Sequence, residues 1–102
     1  MRLFKDLNGK SIRLTKERME HILEHSEMEG QIEKIAVTLM SPDVIIISEY
    51  DSSVNLYYKF YEGTTVTDKF LLVAVKFLET DALVITAFFT DKEKRGQIVW
   101  HK

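Results

Sequence analysis

The stretch V-N-L-Y-Y-K-F-Y, residues 54–61, alternates in chemistry with a period of two. Val54, Leu56, Tyr58 and Phe60 fall on one side, and Asn55, Tyr57, Lys59 and Tyr61 on the other. Branched and aromatic side chains suit a pleated, half-buried surface, so this pattern predicts a strand. Upstream, the β-branched run Val44–Ser48 predicts a second strand, set off by a polar turn at 49–53. Downstream, Phe70–Leu78 is apolar on both faces, as a central strand is. Leu83–Thr90 follows after the short turn 79–81. Strands joined by short loops are most simply antiparallel neighbours, so an antiparallel meander of four strands is expected over 44–90.

The N-terminal part reads differently. Asn8-Gly9, between the short segments Leu3–Leu7 and Lys10–Leu14, is a strong hairpin signal because Gly accepts the positive φ such a turn demands. Thr15 is suited to cap a helix running to about His25, whose Met19, Ile22 and Leu23 share a face. A second helix is expected over Met28–Met40, with Ile32, Ile35, Ala36 and Leu39 on one stripe and Gly30 weakening its start. Pro42 ends it by forcing the preceding residue out of helical geometry. The predicted fold is thus α+β: an N-terminal hairpin, then two helices packed on a four-stranded antiparallel meander, in a single domain 1–102.

Composition narrows the function. A chain of 102 residues with 45% hydrophobic and 29% charged residues can build one ordinary core. Without cysteine, disulfides and thiolate metal sites are excluded. The longest apolar runs fall far short of the ~20 residues a membrane helix needs, and the polar start is unlike a signal peptide. A soluble cytoplasmic protein is expected. The net charge of -2 offers no general attraction for phosphate, so a nucleic-acid partner requires a locally basic surface.

Three groups of residues could carry chemistry. Arg18, His21 and His25 recur on one face of the first predicted helix, beside Glu17, Glu20 and Glu24. That spacing suits a catalytic pair and equally a solvated face. A zinc site fits less well, because Ile22 stands where the H-E-x-x-H signature has its glutamate. Tyr57, Lys59 and Tyr61 interleave a cation with aromatic rings, as a single-stranded nucleic acid requires, although tyrosines are common in any strand. Thr86 shares a strand face with Phe88 and Thr90, just before the dense cationic run Lys92, Lys94 and Arg95. A basic loop at a strand end can hold phosphate or simply stay wet. Neither a phosphate-cradling glycine motif nor a hydrolase elbow occurs.

The ordered segments I-R-L-T-K-E-R-M-E-H-I-L-E-H (12–25), S-P-D (41–43), L-Y-Y-K-F-Y (56–61), V-A-V-K (73–76), V-I-T-A-F-F-T-D-K-E-K-R-G (84–96) and V-W (99–100) resemble the small phage-type nucleases grouped with barnase, EndoU, colicin and RelE. That resemblance implies RNA as substrate and cleavage without metal or other cofactor. An immunity or antitoxin protein is a candidate partner. The resemblance maps catalytic roles onto His21, His25, Tyr58, Lys59 and Thr86 and the terminal cations onto Lys92 and Lys94, while Arg18, Tyr57, Tyr61 and Arg95 are read from their own chemistry as further substrate contacts. Met19 and Ser26 depart from the pattern's tryptophan and proline, and Glu24 replaces an arginine that would hold an anion. The expected mechanism is attack of the RNA 2′-hydroxyl on the adjacent phosphorus, with His21 as base and lysines stabilising the developing charge. The alternative is a module of the same fold that binds RNA or protein without cleaving it.

Overall fold

The computed structural model describes residues 1–63 and 69–102. Strands β1 (Arg2–Lys5) and β2 (Ser11–Leu14) form the N-terminal hairpin. In its turn, Gly9 adopts φ +80°, and the Asp6 carboxylate accepts the backbone N–H groups of Asn8 and Lys10 at 2.9 Å each. An ionised acceptor serving two amides fixes the turn more firmly than the Asn-Gly pair alone.

Helix α1 (Lys16–Leu23) starts where Thr15 Oγ1 accepts the Arg18 amide at 3.1 Å. It stops two residues short of His25 and gives way to a single 3₁₀ turn, Ser26–Met28. Gly30, at φ +75°, redirects the chain, so helix α2 covers Ile32–Met40 rather than beginning at Met28. Strands β3 (Val44–Ser48), β4 (Val54–Tyr61), β5 (Lys69–Phe77), β6 (Ala82–Thr90) and β7 (Gly96–His101) complete the fold.

The expected four-stranded antiparallel meander is corrected by the sheet itself. Among the described residues, seven strands form one mixed sheet in the order β1-β2-β6-β5-β4-β3-β7. Consecutive strands β3 to β6 pair antiparallel, but β2 runs parallel to β6, meeting it at Arg13 and Leu83. Loop length can reveal only pairing between neighbours in sequence, and these partners lie about 70 positions apart. An ion pair spans the seam: the Arg13 guanidinium grips both Asp81 carboxylate oxygens, at 3.1 and 2.5 Å. At the opposite edge β7 pairs antiparallel with β3. Gly96 makes that contact possible, since a Cβ there would lie 2.5 Å from the Ile47 carbonyl oxygen.

Each sheet face carries its own apolar cluster. One face packs Ile45, Tyr57, Leu71 and Val73 against Ile22, Met28, Ile35 and Leu39 of the helical layer. The other gathers Val44, Ile46, Leu56, Tyr58, Leu72 and Ala74, joined by Phe70, Ile85 and Phe88, with no helix above it among the described residues. Residues 91–95 cross this second face diagonally from Thr90, beside Phe70, to Gly96, beside Ser48.

Candidate active site

Period-two alternation distributes the candidate residues between the two faces. On β4, Tyr58 pairs with Leu72, which pairs with Phe88 on β6, giving one cross-strand row on the helix-free face. Thr86 lies opposite Ala74, on the same face as Phe88. A register shift beside Ala74 adds one residue to β6, so Ile85 also joins this cluster.

His25 reaches the end of that row. Its ring stacks on Phe88 with centroids 5.6 Å apart and planes 30° from parallel. His21, one helical turn earlier, meets His25 edge-on at 6.4 Å. The pair therefore sits where α1 packs against β6, with both side chains nearly half exposed. Glu24 and Glu27 approach the two Nδ1 atoms only to 3.8 and 4.0 Å, too far for hydrogen bonds. Arg18 occupies the same helix face, three residues before His21.

The crossing segment supplies positive charge. Tyr58 is buried, and its hydroxyl accepts the Lys94 backbone N–H at 2.9 Å. Burial lifts this phenol above the usual tyrosine range, with the Glu93 charge adding to that and the Lys94 amide opposing it. The contact anchors the segment, leaving Lys92, Lys94 and Arg95 exposed around a hollow of about 580 Å³ that extends to Thr90, Leu56 and Tyr50.

The structure does not bring every predicted site residue to this surface. Lys59 lies on the helix-covered face, where its ammonium donates to the Ser41 carbonyl at 2.9 Å. Tyr57 is buried there and donates to Asp6 at 2.9 Å; burial first, then the Asp6 charge, raises its ionisation far above the ordinary range. Tyr61 meets Thr38 at 3.1 Å and the Lys34 carbonyl at 3.3 Å. His21, His25, Tyr58, Thr86, Lys92, Lys94 and Arg95 thus stand on or beside one face, with Lys59, Tyr57 and Tyr61 on the other. Phe88, the platform for His25, has no role in the sequence reading, although its alternation with Thr86 and Thr90 already put it on their face.

Among the described residues, no three His, Asp or Glu side chains are grouped to hold a metal ion. None of their helices is long and apolar enough to cross a membrane. The model of the phage-Barnase-EndoU-ColicinE5/D-RelE like nuclease 2 family matches residues 1–100. The chain belongs to that family. A phage-Barnase-EndoU-ColicinE5/D-RelE like nuclease has nucleic acid as its substrate class, and imidazoles together with basic side chains suit phosphodiester chemistry. No curated protein and no solved structure matches the chain.

Proposed function

We propose that this nuclease cleaves RNA without a metal, on the helix-free face of its sheet, with His25 and His21 as the acid–base pair. The observation that carries the proposal is the stack of His25 on Phe88, which aims the histidine pair at the face bearing Thr86 and the cationic segment. Histidine is the side chain whose ordinary titration range brackets neutral pH, as reversible proton transfer requires. His21 takes the proton from a ribose 2′-hydroxyl as that oxygen forms a bond to the adjacent phosphorus. The bond from phosphorus to the 5′-oxygen then breaks, and protonated His25 gives its proton to the leaving oxygen. The products are a 2′,3′-cyclic phosphate and a 5′-hydroxyl, so atoms and charge balance without a further reactant.

Lys92, Lys94 and Arg95 would oppose the charge building on the non-bridging oxygens, and the Thr86 hydroxyl would donate to one of them. Arg18 would hold a neighbouring phosphate. The same exposed cations are what an acidic immunity or antitoxin protein in the cytoplasm would cover.

The test is incubation of the purified protein with single-stranded RNA in excess chelator. Cyclic-phosphate ends are expected, and His25→Ala is expected to slow their formation by roughly 10²–10⁴-fold. Cleavage that requires added metal, or that is unchanged in His25→Ala, overturns the proposal. Binding with no cleavage under any condition favours the non-catalytic module instead.

A further inference from the structure

The helix-covered face holds a second hollow, of about 300 Å³, lined by neither His21 nor His25. It opens where the helices do not cover the sheet. Ile45, Asn55 and Tyr57 lie beneath it, the hairpin turn walls one side, and Trp100 walls another. Trp100 reaches this side because β7 bulges: Ile46 pairs with Ile98 and Ile45 with Trp100, leaving Val99 as the extra residue.

The chemistry of this lining is specific. The Asn55 side-chain amide, on the sheet floor, makes no hydrogen bond to a described residue, and neither does that of Asn8 in the turn. A half-buried amide offers a donor and an acceptor together, the pair that reads the edge of a nucleobase and matches adenine in two-point fashion. Trp100 and Phe77 supply ring surfaces, and aromatic faces are what unpaired bases stack on. The Lys10 ammonium, 5.5 Å from the Phe77 ring centroid, stands at the rim where a phosphate could meet it. By contrast, the Asp6 carboxylate is already spent on Tyr57 and two backbone amides.

We infer that this hollow is a nucleotide-binding site separate from the cleavage surface, taking one adenine nucleotide with its base against Trp100, its edge on Asn55 and its phosphate at Lys10. The nucleotide is either a free mononucleotide or one unit of an RNA strand that reaches around the sheet. The inference does not depend on the histidine mechanism.

Trp100 is the chain's single tryptophan, so its fluorescence reports this site without labelling. Titration with AMP is expected to quench it saturably, while ribose 5-phosphate, lacking the base, is expected to leave it unchanged. Asn55→Leu and Lys10→Gln are each expected to weaken AMP binding by about tenfold or more. Lys10 is exposed, so its substitution keeps the test valid if Asn55→Leu fails to fold. His25→Ala is expected to bind AMP normally, which separates this site from the cleavage reading. A cleavage-resistant 2′-O-methyl oligoadenylate that competes more tightly than AMP identifies an RNA strand as the source. Weaker competition identifies the free nucleotide. Absence of saturable quenching by AMP, or quenching unaltered in both variants, overturns the inference whatever the cleavage assay shows.

Discussion

The two faces of the sheet are built from the same strands yet solve different problems. The helix-covered face buries Tyr57, Leu71 and Val73 to 1% exposure or less and pairs Asp6 with Tyr57 and Thr38 with Tyr61. On the opposite face, Phe88, Thr86 and Thr90 remain partly exposed, and a short crossing segment takes the place of helices. The contrast teaches that strand parity, more than residue type, decides which tyrosines and lysines lie under the helices and which on the helix-free face.

The strongest way to sharpen this contrast is to truncate a core residue of the covered face. Leu71→Ala, at a fully buried position, is expected to lose about 2–5 kcal/mol of stability, read by chemical denaturation. Specific activity of the fraction still folded is expected to stay unchanged.

Next in size is a paired lysine experiment. Lys94→Ala is expected to lower kcat/KM on RNA by about tenfold, because a cation near the developing charge is lost. Lys59→Ala, whose ammonium is occupied by the Ser41 carbonyl, is expected to change it less than about twofold. The reverse ranking would break the division of labour between the faces.

Titration of the phenols gives a subtler comparison. Tyr57, Tyr58 and Tyr61 are all held above the usual tyrosine range, chiefly by burial, while Tyr50 is 93% exposed. A raised folded-state value favours the neutral phenol. Its stabilising effect is therefore complete below the ordinary range near ~10 and is lost as pH rises toward the folded values. Phenolate absorbance is expected to show the buried Tyr57 and Tyr58 ionising only with alkaline unfolding. Their gradual appearance in the folded protein would contradict the buried placement.

The smallest effect concerns the seam between β2 and β6. Arg13, by hydrogen bonding first, holds the Asp81 carboxyl below the usual carboxylate range. That contribution is present above the ordinary aspartate value and disappears as pH falls through the lowered one. Because the pair is about a third exposed, at 35% for each side chain, the loss is expected to be slight and salt-dependent. Amide exchange at the seam should accelerate in acid, and Asp81→Asn should abolish that pH dependence.

Much of the local structure was legible in the sequence. Thr15 announced the cap of α1, and the alternation over 54–61 announced β4, because both signals are written in adjacent residues. Pairing of β2 with β6, and of β7 with β3, was not legible, since parallel or remote registers leave no local periodicity. The candidate site was legible in part. Alternation already parted Tyr58 from Lys59, but only the position of the helices shows which of them lies on the helix-free face. The stack of His25 on Phe88 depends on α1 ending early, which Gly30 and the 3₁₀ turn determine together rather than any single motif.

The diagonal passage of residues 91–95 has a kinetic corollary. Its amide contact with Tyr58 and its landing strand on β3 both need β3 and β4 to be in place beforehand. Closure of such distant partners is intrinsically slow. During refolding, catalytic competence is therefore expected to lag behind helix formation and to rise together with the emission change of Trp100. A chain caught before that last docking would be compact, largely structured and harmless to RNA.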